Sequence, residues 1–158
     1  MDLKTEAEIM RICLELELIS KSEVISWADN VVAKTDQPDL AVIEVSLAKN
    51  HYINDILKLL EDVGGTIDLA RLYQEVFALM KTKLQPDPDS ETLIARALFR
   101  MAINGDIPDK SAAEEMYRFY DDLDLARYGY YKNRTVEDVR KQLRSFLNRY
   151  SNNQTAEG

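Results

Sequence analysis

Apolar positions recur about every 3.6 residues in nearly every segment, and no run shows the strict alternation of a half-buried strand. The pattern predicts an all-α protein of about eight short helices. The first covers about Thr5 to Leu18 on Ile9, Ile12, Cys13 and Leu16. Ser20, with Glu23 three residues on, makes a capping box that opens a second helix ending near Lys34. Pro38 suits the first turn of a third, where its missing N–H would lack a partner anyway, and Leu40, Ile43 and Leu47 then form the stripe. A fourth follows Asn50 on Ile53, Ile56, Leu57 and Leu60, and Gly64-Gly65 can take the left-handed conformation that ends it.

Thr66 or Asp68 caps the fifth helix, whose Leu69, Leu72, Tyr73, Val76, Phe77 and Met80 make a clean amphipathic stripe stopped by Pro86 and Pro88. From Pro88 to Asn104 the run Leu93, Ile94, Ala95, Ala97, Leu98, Phe99, Met101 and Ala102, broken by Thr92, Arg96 and Arg100, reads as a central helix apolar nearly all round, and Gly105 closes it. Pro108 opens a seventh helix reaching about Leu123. Thr135 caps an eighth on Val136, Val139, Leu143, Phe146, Leu147 and Tyr150. Short connections imply antiparallel neighbours in a compact bundle or an irregular helical solenoid. No internal repeat and no long linker is visible, so residues 1–150 read as a single helical domain. Residues 151–158, small and polar without an apolar period, read as a disordered C-terminal tail.

A chain of 158 residues, 46% of them hydrophobic, is long enough to bury roughly 68–70% of its unfolded surface without metal or disulfide staples. The single cysteine, Cys13, sits in an apolar stripe and reads as a packed thiol in a reducing compartment. The first residues carry no basic leader with an apolar run, and no 18-residue apolar stretch occurs, so a cytoplasmic protein without a membrane partner is expected. A net charge of −8 opposes binding to phosphate backbones and favours basic partners.

Catalytic signatures are sparse. His51 is the only histidine, which excludes His–His metal pairs, and it reads as a solvated residue at a helix start. Neither a Gly-x-x-x-x-Gly-Lys nor a Gly-x-Gly-x-x-Gly run is present to cradle phosphates. Asp87-Pro88-Asp89-Ser90-Glu91 resembles the start of a calcium loop, but Thr92 and Leu98 occupy the places of its glycine and its bidentate glutamate, so it reads as helix capping. No catalytic residue, metal site or cofactor is expected.

Charge and tyrosine are unevenly spread. Residues 87–131 hold 10 acidic and 5 basic side chains, whereas residues 132–149 hold 6 basic and 2 acidic. Five of the eight tyrosines lie between Tyr117 and Tyr131. On a wheel of about 100° per residue, Ala112, Met116, Phe119 and Leu123 of the seventh helix cluster as its core stripe. Glu114, Tyr117, Asp121 and Asp124 then face water. With Tyr120, Tyr128, Tyr130 and Tyr131 they are the candidate partner-binding residues, because exposed tyrosines give large contact area at low entropy cost and carboxylates steer a basic partner. The alternative is a solvated face whose rings pack on neighbours. The basic run Lys132, Arg134, Arg140, Lys141, Arg144 and Arg149 reads as an internal complement to the acidic helices rather than a nucleic-acid site.

Ser22-Glu23-Val24-Ile25-Ser26-Trp27-Ala28-Asp29, then Asp36-Gln37-Pro38, then Val42-Ile43-Glu44-Val45-Ser46-Leu47 resemble the opening of a family of small uncharacterised bacterial helical proteins. The resemblance covers about residues 10–65. Some members of that family sit beside polymorphic or contact-dependent toxin genes and are taken to be immunity proteins. What this implies is a non-enzymatic, immunity-type inhibitor that binds a basic toxin domain stoichiometrically. Trp27 itself reads as a core or inter-helix anchor. The alternative function is a structural or regulatory helical adaptor that self-associates.

Overall fold

A computed structural model describes residues 1–152 of the chain. These residues form eight helices and no strand: α1 (Leu3–Glu15), α2 (Lys21–Lys34), α3 (Leu40–Ser46), α4 (Ile53–Glu61), α5 (Leu69–Lys83), α6 (Pro88–Asn104), α7 (Lys110–Arg127) and α8 (Val136–Ser151). Of the expected tail, Ser151 instead closes α8 and is buried, and residues 153–158 lie outside the described residues. Within the stretch expected as one domain, contacts gather into two compact units, Met1–Leu72 and the chain from Tyr73 onward. The boundary falls inside α5, so no change of composition marks it.

In the first unit α1 packs on α2 and α4, α2 on α3, and α3 on α4. Its core joins Ala7, Leu14, Val24, Ala28, Val42, Val45, Ile56 and Leu60, with Trp27 packed half-buried against them. Ser20 and Glu23 close both halves of the expected capping box of α2. Asp39, not Pro38, begins α3: one of its carboxylate oxygens accepts from the Ala41 N–H at 2.8 Å and the other from the Gly64 N–H at 3.1 Å. The buried face of α3 is Ala41, Val42 and Val45, while Leu40 and Leu47 of the expected stripe are exposed. In this almost wholly apolar helix both faces satisfy the helical period. Gly65 has φ +126°, and a β-carbon there would stand 2.8 Å from Asp2 Oδ1 and 2.9 Å from Lys4 Cβ, so the turn after α4 admits no side chain.

Helix α1 stops three residues before the expected Leu18. The Leu18 N–H donates to the Cys13 carbonyl at 2.8 Å and the Glu17 N–H to that of Leu14 at 3.1 Å, the paired bonds of a helix end that turns left-handed. Glu17 takes that turn at φ +61°. An L-residue there costs about 1–2 kcal/mol, partly offset by glycine's greater freedom in the unfolded chain. Glu17→Gly should therefore stabilise the protein by about 0.5–1 kcal/mol, a rise in Tm of roughly 1–4 °C. An unchanged melting curve would mean that the exposed Glu17 side chain makes a contact worth as much as the strain.

The second unit pairs α6 with α7 and α7 with α8. From α5, Phe77 meets Phe146 edge-on at 5.5 Å, and Phe146 also touches Phe119 of α7 at 5.6 Å and Tyr150 at 4.8 Å. Asp87 caps α6 through the Ser90 N–H, and Gly105 closes it at φ +78°. Helix α7 begins on Asp109 rather than Pro108 and runs past Leu123 to Arg127, with Ala112, Met116, Phe119 and Leu123 buried as expected. Thr135 and Asp138 form a full capping box on α8.

One carboxylate in this unit is fully buried. Glu91 of α6 is bonded to Arg140 of α8, and Arg127 at the end of α7 approaches it at 3.7 Å. Arg127 also donates to Thr92 Oγ1 at 2.7 Å and to the Pro88 carbonyl at 3.1 Å. The bond to Glu91 is the main reason that the Arg140 guanidinium titrates above its ordinary value. Three helices thus meet on one charge.

Candidate partner-binding face on helix α7

The two long edges of α7 differ. Along the edge turned to α8, Glu115 bonds Arg149 at 3.0 Å. Asp122 accepts from Arg134 at 2.8 Å and from the Tyr131 hydroxyl at 2.9 Å. At the N-terminus of α7, Tyr150 donates to Asp109 at 3.2 Å. Glu115, Arg118, Phe119, Asp122, Arg134 and Gln142 line a cleft of about 420 Å³ along this edge. Arg134 bridges it, bonding both Asp122 and Gln142. Three of the six basic residues singled out in the sequence, Arg134, Arg140 and Arg149, are thereby held in ion pairs with acidic side chains.

The opposite edge is open. Glu114, Tyr117, Asp121, Leu125 and Tyr128 follow one another at spacings of three and four residues, which places them on one strip of the helix. Glu114 and Asp121 are exposed and Asp124, beside them, is half-buried. Tyr128 is 77% exposed and Tyr130, two residues beyond it past Gly129, 73%. Their rings lie 6.4 Å apart, inclined at 57°. Tyr117 is 42% exposed: its ring stands edge-on to Phe99 at 5.8 Å and its hydroxyl donates to the Ala102 carbonyl at 3.2 Å.

Two of the eight expected residues lie apart from this open strip. Tyr120 packs its half-buried ring on Phe99 with the Arg96 guanidinium 6.0 Å from its centroid, and Tyr131 is drawn to Asp122 with Arg134 over its face at 5.5 Å. Leu125 was missed. Extending the helical wheel beyond Leu123 to the end of α7 is what brings it onto the strip.

The tyrosines on the closed edge make stability depend on alkaline pH. Tyr131 titrates above the ordinary tyrosine value of about 10 because its hydroxyl donates to Asp122, and Tyr150 does so because of burial and then the charge of Asp109. A raised value means that the neutral phenol is the form the fold prefers. Its contribution is whole below about pH 10 and disappears as pH climbs through the raised values. Urea midpoints should hold level on the alkaline side up to about pH 10 and fall beyond it, less steeply in Tyr131→Phe. An identical alkaline slope in that variant would contradict the assignment. Asp138 has the opposite sign: its bonds from the Thr135 backbone and hydroxyl lower its value, so its contribution is lost only as acid carries the pH down through that lowered value.

Among the described residues no three His, Cys, Asp or Glu side chains group as metal ligands, and no helix is long and apolar enough to cross a membrane. Compared with protein-family models, with curated proteins and with solved structures, the chain matches none.

Proposed function

We propose that this protein acts by binding another protein through the open strip of α7 and the turn that follows it, and that it transforms no substrate itself. The observation that carries the reading is the exposure of Tyr128 and Tyr130 beside Asp121 and Asp124. Large aromatic side chains held in water have no role in the core and are the usual anchors of an interface. Attraction at longer range comes from the net charge of −8, most of which lies in residues 1–72, with 14 acidic and 7 basic side chains. Such a charge speeds the encounter with a basic partner, while a few aromatic anchors slow its release.

The resemblance of residues 10–65 to a family some of whose members sit beside toxin genes supports a basic toxin domain as that partner, held stoichiometrically and blocked. The test is to purify the complex from the native host, identify the bound protein, and titrate it with Tyr128→Ala/Tyr130→Ala. Loss of about tenfold or more in affinity, or 1.4 kcal/mol, is expected. Unchanged affinity removes the face, and a bound protein that is no toxin removes the inhibitor role.

One observation favours self-association as the second reading. Residues 73–158 hold 14 acidic and 13 basic side chains, so two copies meeting through α7 would face little net repulsion. A tight homodimer by light scattering, abolished by the same double substitution, would put that reading first.

A further inference from the structure

Three tyrosines of the second unit carry a guanidinium over the ring: Tyr120 with Arg96 at 6.0 Å, Tyr131 with Arg134 at 5.5 Å and Tyr150 with Arg149 at 5.3 Å. Two of these arginines are also tied to a carboxylate on α7, Arg134 to Asp122 and Arg149 to Glu115. The recurring arrangement is a tyrosine face, a planar cation lying on it, and a carboxylate at the cation's edge. Tyr128 and Tyr130 have the aromatic part, doubled and exposed. The carboxylate part stands along the same helix: Asp124 one turn and Asp121 two turns before Tyr128. The cation is absent. Among the described residues no arginine or lysine lies over either ring, and neither Asp121 nor Asp124 is in an ion pair.

We propose that this place receives an arginine side chain of the partner protein, its guanidinium against the Tyr128 and Tyr130 rings and its N–H groups turned to Asp124 and Asp121. The inference rests on the reading of α7 as the binding face and names the chemistry that face recognises. With the centroids 6.4 Å apart, one cation can lie within about 6 Å of both rings. A guanidinium is preferred to an ammonium because its flat face stacks while its edge still presents a fork of donors to a carboxylate. Lysine's compact, strongly hydrated charge offers no such flat face and no fork.

The experiment follows the tyrosine ring signals of the full chain by NMR at low salt while a short oligo-arginine peptide is added. The same titration is run with the matched oligo-lysine and oligo-citrulline peptides, citrulline having arginine's shape without its charge. The arginine peptide should move the Tyr128 and Tyr130 signals and bind about threefold or more tighter than the lysine peptide, and the citrulline peptide should move neither signal. Asp121→Asn/Asp124→Asn should weaken the arginine peptide about fivefold, and Tyr128→Leu about two- to fivefold. Tyr128 and Asp121 are exposed and Asp124 is half-buried, so an unchanged far-ultraviolet dichroism spectrum and urea midpoint accompany each variant as the check that its fold is in place. Equal response to arginine and lysine, or a shift of the Tyr52 signal of the first unit with Tyr128 and Tyr130 unmoved, would overturn the proposal. If Tyr128→Ala/Tyr130→Ala still weakens the native complex while the peptides show no arginine preference, this inference fails and the binding face itself stands.

Discussion

Arg140→Met should cost about 3–5 kcal/mol of folding stability, more than any other single charge removal in the second unit. It leaves the Glu91 carboxylate, entirely out of water, with only Arg127 at 3.7 Å among the described cations. A buried charge that loses its main partner cannot recover hydration, and that penalty, rather than the lost attraction, sets the size of the effect. The reverse deletion, Glu91→Met, should be milder. The side chains of Arg127 and Arg140 are 24% and 21% exposed, Arg140 keeps Glu137, and Arg127 keeps Thr92 and the Pro88 carbonyl. The double variant should regain most of what Arg140→Met loses, since replacing both charges removes the need to pair them. Urea unfolding of the four proteins measures the cycle. Simple additivity of the two losses would show that Glu91 and Arg140 do not depend on each other.

Phe146→Ala is expected to destabilise by a similar amount, about 3–5 kcal/mol. The ring is fully buried and touches three others, Phe77, Phe119 and Tyr150, from three different helices. Each such ring pair adds about 0.5–1.5 kcal/mol to the burial itself. Removing the side chain leaves a space walled by rigid rings, which close over it less readily than aliphatic chains would. Phe146→Leu keeps most of the volume and should lose about 1–2 kcal/mol. A loss in the alanine variant no larger than in the leucine variant would mean that α5, α7 and α8 close over the space.

Helix beginnings were largely legible because capping is local. Ser20 with Glu23, Thr135 with Asp138, and Asp87 before Pro88 each do within one turn what their spacing implies. The end of α1 was not, since glutamate occupies a left-handed position where a sequence reading looks for glycine. Helix α3 was read on the wrong face because period alone cannot choose between Leu40, Ile43, Leu47 and Ala41, Val42, Val45. The choice is made by tertiary packing, since α3 lies against both α2 and α4 and buries Ala41, Val42 and Val45 there. The division of contacts after Leu72 has no mark in the sequence because it lies within a helix whose stripe continues through it.

For the candidate face, polarity and spacing sufficed to put Glu114, Tyr117 and Asp121 on one strip of α7, whereas Tyr128 was expected in a loop because the helix was ended near Leu123. What they could not show is which tyrosines already have a partner. Tyr120 is taken by Arg96 and Glu91 by an arginine 49 residues away, pairings set by how α6, α7 and α8 pack rather than by any local pattern, while Tyr131 and Arg134, three residues apart before α8, are both drawn to Asp122 of α7.

Trp27 is the chain's one tryptophan and packs against the core of the first unit, whereas seven of the eight tyrosines lie beyond residue 72. Each unit therefore carries its own optical label without any substitution. Indole fluorescence follows one and near-ultraviolet tyrosine dichroism chiefly the other, so a single denaturation series records two transitions side by side. Whether those curves superimpose or separate reports directly on how far the two halves unfold as one cooperative body.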